Sequence, residues 1–122
     1  MRILVIDDDD DIRDVLAAIL EDQGHDVETA VDGVAGLERL RSGDRPALIL
    51  LDMMMPRIDG EGFLKALRGN PNTADIPVVI LTGHPEARRK AAELGTAGCL
   101  MKPVELVELL HAIDQTQRRA TA

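Results

Sequence analysis

Several short apolar runs in this chain end on polar residues. Asp7 and Asp8 follow Ile3–Ile6, Asp52 follows Ala47–Leu51, Thr82 follows Val78–Leu81, and Lys102 follows Ala97–Met101. Brought to one place, they would form a cluster of carboxylates with a hydroxyl and an ammonium. Clustered carboxylates repel and need a proton or a cation among them. An all-oxygen donor set suits a hard ion, and few protein ligands supplemented by water suit Mg²⁺ better than Ca²⁺. Such an ion bridges a carboxylate and a phosphoryl oxygen and screens the repulsion that blocks attack on phosphorus. Lys102 would add positive charge for the phosphoryl oxygens, and Thr82 a hydrogen bond. Asp52 is then the candidate nucleophile, forming an acyl phosphate. It is the set that carries the signal, because a lone aspartate after a strand is ordinarily a cap or turn former. Asp9, Asp10 and Asp11 read in that ordinary way, opening a helix whose N-terminus favours negative charge.

For these residues to converge, the runs must be parallel strands with their carboxyl ends on one edge. Ile3–Ile6, Ala47–Leu51 and Val78–Leu81 are short and continuous, as strands covered on both faces are. Val27–Val31 alternates and suits a half-exposed edge; Ala97–Met101 is a weaker run suited to the other edge. Helical spacing fills the gaps. Ile12, Val15, Leu16, Ile19 and Leu20 share one helix face, with Gly24 as its stop, and Leu106, Leu109, Leu110 and Ile113 repeat the spacing. Val34 with Leu37 marks a shorter helix, and Phe63, Leu64 and Leu67 mark another, with Phe63 a core residue. Ala87, Ala91 and Leu94, closed by Gly95, mark a helix whose thin apolar face predicts weak anchoring. Alternation of this kind predicts an α/β fold with a parallel sheet, helices on both faces and right-handed crossovers. In doubly wound folds the carboxyl edge is where ligands bind. Gln117 to Ala122 read as a frayed tail.

Composition narrows the function. The 122 residues fit one domain, and at 45% hydrophobic they can bury a core. A formal charge of −8 repels nucleic-acid phosphate and anionic lipid, so no direct nucleic-acid partner is expected. No apolar run approaches the ~20 residues of a membrane span. The single cysteine, Cys99, precludes an internal disulfide, and a cytoplasmic location is expected. Other motifs fail. Asp7-x-Asp9-x-Asp11 has Ile12 where a calcium loop needs glycine, and the three histidines lack metal-ligand spacing.

Four motifs in order resemble response-regulator receiver domains of two-component and phosphorelay signalling. They are Ile3 to Asp9; Leu50 to Pro56 with Asp59-Gly60; Ile76 to Gly83; and Leu100 to Pro103. The resemblance spans almost the whole chain and implies one receiver domain over 1–122, expected either as a stand-alone, single-domain module or as a piece of a longer regulator or hybrid kinase. It implies a flavodoxin-like three-layer sandwich, sheet order 2-1-3-4-5 with five helices. Asp52 is then the phospho-acceptor, and Asp8, Asp52 and the backbone carbonyl of Met54 contact Mg²⁺, Asp7 acting through a bound water. Thr82 and Lys102 hold the phosphoryl group, and Lys102–Pro103 is a cis peptide. The donor is a phosphohistidine on a sensor histidine kinase or a histidine phosphotransfer protein. Output is recognition of a downstream protein target through the face of the fourth helix, fifth strand and fifth helix, so the chain is not a turnover enzyme.

One position departs from the pattern. Receivers usually carry Tyr or Phe three residues before the lysine, and that ring turns inward as the threonine moves; here Cys99 stands there. Cys99 reads as a small strand residue rather than a redox sensor, with no cation adjacent except Lys102. Two rival functions are weaker. A Mg²⁺-dependent phosphatase with Asp7 as nucleophile and Asp9 beside it would lack a cap domain, and Asp52 competes as nucleophile. A flavodoxin-type electron carrier would have little to stack on its flavin, with no Trp or Tyr and one Phe. Met54 is expected to border the pocket, where its side chain would slow hydrolytic water.

Overall fold

The computed structural model describes residues 1–55 and 58–121. Strands β1 (Arg2–Ile6), β2 (Asp26–Ala30), β3 (Leu48–Asp52), β4 (Val78–Thr82) and β5 (Gly98–Met101) alternate with five helices. These are α1 (Asp10–Asp22), α2 (Gly33–Ser42), α3 (Gly60–Gly69), α4 (Ala87–Glu93) and α5 (Leu106–Thr121). All strand pairs are parallel, in the order β2-β1-β3-β4-β5. The chain is therefore a doubly wound, flavodoxin-like sandwich: the alternating pattern predicts the parallel sheet with helices on both faces, and the receiver resemblance its strand order.

The central strands are apolar on both sides because both sides are covered. Leu4, Ile6, Ile49, Leu51, Val78 and Ile80 face Phe63, Leu64 and Leu67 of α3 and Ala91 of α4. Ile3, Val5, Leu48, Leu50, Val79 and Leu81 face Leu16 and Leu20 of α1 and Leu109 and Ile113 of α5. Successive strand residues thus feed opposite layers, the period of two that a pleated strand imposes. Phe63 is fully buried, the core residue its spacing with Leu67 predicts.

Helix ends follow the expected chemistry. Asp9 is the N-cap of α1, its carboxylate accepting from the N–H groups of Asp11 and Ile12, while Asp10 and Asp11 lie in the first turn. Gly24 and Gly95, with φ of +88° and +72°, turn the chain after α1 and α4 in a conformation that glycine adopts without cost. One expectation is corrected: residues 117–121 are not a tail but the last turns of α5, while Ala122 lies outside the described residues. The inward stripe of Leu109 and Ile113 continues to Thr116, which is buried and returns its hydroxyl to the Ala112 carbonyl at 3.0 Å. A threonine on that stripe does not register as apolar periodicity. Pro56, part of the third-strand motif, also lies outside the described residues.

Candidate functional site

Strand register sets the site. Ile6 pairs with Leu51, Asp52 with Leu81, and Thr82 with Met101, so the residues at and just beyond these positions sit side by side at the carboxyl edge. Asp7, Asp52, Thr82 and Lys102 are brought together there. Asp7, Asp52 and Thr82 are buried, at 0%, 3% and 1% exposure, while Asp8 is exposed at the rim. One carboxylate oxygen from each of Asp7, Asp8 and Asp52 lies within 4.8 Å of the others. Lys102 Nζ reaches in from the end of β5, 3.0 Å from Asp7 Oδ2 and 3.3 Å from Asp52 Oδ1. The Lys102–Pro103 peptide is cis, as expected.

Backbone groups fix the side chains of Asp7, Asp52 and Thr82. Asp7 Oδ1 accepts from the Asp9 N–H at 2.9 Å, and Asp52 Oδ1 from the Met54 N–H at 3.2 Å. Thr82 Oγ1 accepts from the His84 N–H at 3.1 Å, which leaves its own hydrogen free to donate. The Lys102 N–H donates to the Thr82 carbonyl at 2.8 Å, tying the lysine's loop to the end of β4. His84 is thus a loop residue at the edge of the site. The Met54 side chain points largely to solvent, 62% exposed, and its place beside Asp52 is held by its backbone.

Two positioning residues escape the sequence reading. Arg13 of α1 donates from Nη1 to the Asp7 carbonyl at 2.8 Å, which fixes the backbone that carries the buried carboxylate. It lies six residues from Asp7 on a helix face that reads as solvent. Gly60 is the other. A Cβ there would sit 2.6 Å from Met53 Sδ and 2.8 Å from Met53 Cα, so only glycine lets α3 start against the loop after Asp52. The Asp59-Gly60 pair is its only sequence signal.

The electrostatics are those of a charge trap. Burial raises the Asp52 carboxyl from its ordinary value to about 6, with Asp7 and Asp8 adding to the rise and the Met54 N–H and Lys102 opposing it. Burial alone would lower the Lys102 ammonium, but Asp7 and Asp52 outweigh it and hold it above its ordinary value. Asp7 Oδ2 has Lys102 as a charge partner, yet receives no hydrogen bond of acceptable geometry. A buried carboxylate oxygen without a donor, facing two more carboxylates, fits a hard divalent cation.

The sequence and the fold both have counterparts among known proteins. Residues 3–114 match the family described as response regulator receiver domain. This chain belongs to the response-regulator receiver family. It is 40% identical over 120 residues to the DNA-binding dual master transcriptional regulator RpaA of Synechocystis, covering 97% of this chain and 49% of that protein. This receiver therefore spans about half the length of the curated relatives it matches. Among solved structures, chemotaxis protein CheY4 of Vibrio cholerae superposes with a TM-score of 0.86 at 32% identity, covering 94% of this chain and 97% of that one. A receiver domain from Clostridium thermocellum gives 0.89 at 31% identity, covering 98% and 96%.

Proposed function

We propose that Asp52 accepts a phosphoryl group from a phosphohistidine and that the resulting acyl phosphate changes which protein the receiver binds. The observation that carries this reading is the pair of buried carboxylates, Asp7 and Asp52, joined by the half-buried Lys102, whose Nζ lies within 3.3 Å of both. Asp7, Asp8, Asp52 and the Met54 carbonyl would hold Mg²⁺, which when bound supplies positive charge against both the carboxylates and the phosphoryl oxygens. Asp52, raised to about 6, is mostly ionised at neutral pH and is a competent nucleophile. One of its oxygens forms the new P–O bond as the P–N bond to the donor imidazole breaks. Thr82 turns its free hydroxyl hydrogen, and Lys102 its ammonium, toward the transferred oxygens. Lys102 thereby exchanges a carboxylate partner for a phosphoryl one, and because its N–H holds the Thr82 carbonyl, β4 and β5 move together.

The donor would be a sensor histidine kinase or a histidine phosphotransfer protein. In support, an apolar groove of about 310 Å³ opens beside Lys102 and Pro103 between α1 and α5. Val15 and Leu106 on its walls are 56% and 51% exposed. Its largely aliphatic lining, Ile12, Val15, Ile19, Val104 and Leu106 among it, suits the apolar face of a donor helix. A downstream protein would read the change on the face of α4, β5 and α5. A charge of −8 supports a chain that does not itself contact nucleic acid. No helix among the described residues is long and apolar enough to cross a membrane, which accords with a cytoplasmic role. The proposed organisation is one receiver unit over residues 1–122, acting on no substrate other than itself.

Incubation with Mg²⁺ and a small phosphodonor, followed by intact mass and peptide mapping, tests the reading. A labile phosphoryl group on Asp52 that Asp52→Ala abolishes is expected. Label on Asp7, or steady phosphate release from arbitrary monoesters, would replace the receiver mechanism with a phosphatase one.

A further inference from the structure

The outer edge of β5 lies open between α4 and α5, in a groove of about 340 Å³. That volume is at the small end of ligand-sized clefts, roughly 300–1,000 Å³. Its lining combines the small residues Gly98 and Cys99 of β5 and Ala112 of α5 with Val79 and Leu100 and with the basic residues Arg88, His111 and Arg119. Glu108 is the one carboxylate on its lining. Burial pushes the Cys99 thiol above its ordinary value, against the pull of the nearby Arg88 guanidinium, so the thiol is uncharged. That neighbour also corrects the expectation that Lys102 alone would be cationic near Cys99.

We propose that this groove receives an aromatic side chain from an acidic segment of the downstream protein, an inference that rests on reading the α4–β5–α5 face as the output surface. Two features select that occupant. The groove's small side chains are uncharged and lie among guanidinium groups, which is the setting in which a ring gains both apolar burial and cation–π attraction. Apart from the His111 imidazole on its lining, the chain has no ring of its own to put there, since it has no Trp or Tyr and its one Phe is in the core. Charge selects the rest of the segment. Among the described residues, Arg88, Arg89 and Arg119 have no carboxylate within ion-pair distance, whereas Lys90 beside them is paired to Glu61. On a chain of charge −8 most of the surface repels an acidic peptide, so this cationic groove is where one would be steered. Aromatic anchors seated in pockets and flanked by charge are the usual energetic centre of such contacts.

Because the chain has no Trp, the occupant can be its own reporter. The full chain is titrated with a short peptide carrying one tryptophan between paired acidic residues, following the indole emission. Parallel titrations use an alanine-for-tryptophan peptide, detected by amide NMR shifts, and a lysine-for-acid peptide. Blue-shifted emission, shifts confined to residues around Cys99 and Arg119, and at least tenfold tighter binding than either control are expected. Cys99→Tyr, which fills the groove from β5, and the surface pair Arg88→Glu with Arg119→Glu should each weaken binding at least tenfold. Both variants should still be phosphorylated on Asp52. Should Cys99→Tyr fold poorly, the charge-reversed pair alone decides. Undiminished binding in the folded variants, no preference over the controls, or shifts mapping elsewhere would overturn the proposal. So would concentration-dependent self-association of the free chain that the charge reversal abolishes, since a second copy would then be the occupant. Binding to the groove that is indifferent to phosphorylation of Asp52 would remove the output role while leaving the ligand class in place.

Discussion

The two ends of β5 contrast sharply. At its carboxyl end, Lys102 enters a site where Asp7, Asp52 and Thr82 are all but sealed from solvent and each of those three side chains is held by a backbone group. Along its outer edge, Gly98 and Cys99 line an open groove, and the neighbouring α4 is held to the core by Ala91 alone among its buried residues. The first region concentrates charge in a rigid frame; the second leaves small side chains beside a loosely held helix. A receiver of phosphoryl groups needs both. Chemistry at phosphorus requires groups fixed in advance, whereas a read-out requires an element whose position costs little to change.

The contrast can be broken first in the packing. Phe63→Ala, in the layer that supports the acidic site, should cost about 3–5 kcal/mol, as emptied aromatic core positions do. Leu94→Ala, partly buried at the end of α4, should cost about 1 kcal/mol. Urea midpoints for the two variants measure both. Equal losses would mean that α4 is as firmly built in as α3.

The charge trap offers the next largest effect. A carboxyl moved from 3.8 to about 6 carries on the order of 2–3 kcal/mol against the ionised folded state. The sign follows from linkage: the folded chain holds its proton more tightly than the unfolded one, so this group's contribution falls as pH rises through the window from about 4 to about 6. At pH 7 without divalent ions, Asp52→Asn should therefore melt higher than the parent. The advantage should shrink as the pH is lowered through that window, and Mg²⁺ should erode it by stabilising the parent. An Asn variant no more stable than the parent at pH 7 would mean that Lys102 fully compensates the buried pair.

How much of this was legible in the sequence differs between the same two regions. The site was readable because strand exits are marked by abrupt changes from apolar to charged residues, and four such changes fix one sheet edge. Asp7, Asp8, Asp52, Thr82 and Lys102 all lie there, although their roles as ligands and catalytic groups remain the proposal above. Arg13 was not readable, because a contact to a carbonyl six residues away leaves no pattern in residue type; Gly60 stood in the third-strand motif, but the close approach to Met53 that requires it did not show. The groove was legible only as a substitution: Cys99 announced that a ring is missing, but not that Arg88 and Arg119 stand around the space. The last turns of α5 were missed because Thr116 fills an inward position with a hydroxyl. Its bond to Ala112 satisfies that hydroxyl only once the helix exists.

The finest test concerns what holds α4 at all. Lys90 on α4 lies 2.9 Å from Glu61 in the first turn of α3, and Lys65 lies 3.6 Å from the same carboxylate. The pair draws the Glu61 carboxyl below its ordinary value and raises the Lys90 ammonium. Both groups are solvated, so Lys90→Ala should leave the melting temperature unchanged within error. Its effect belongs to local opening. With only Ala91 fully buried beneath it and Leu94 partly buried at its end, α4 should exchange its amides faster than α1 or α3 in the parent, and a few-fold faster again in Lys90→Ala. Unchanged exchange in the variant would assign the holding of α4 to Ala91 and to the Gly95 turn. Faster exchange confined to α4 would make the Glu61–Lys90 pair a clasp between the helix that opens beside Asp52 and the helix that flanks the groove. The two ends of β5 would then communicate through that ion pair as well as through the Lys102–Thr82 backbone bond.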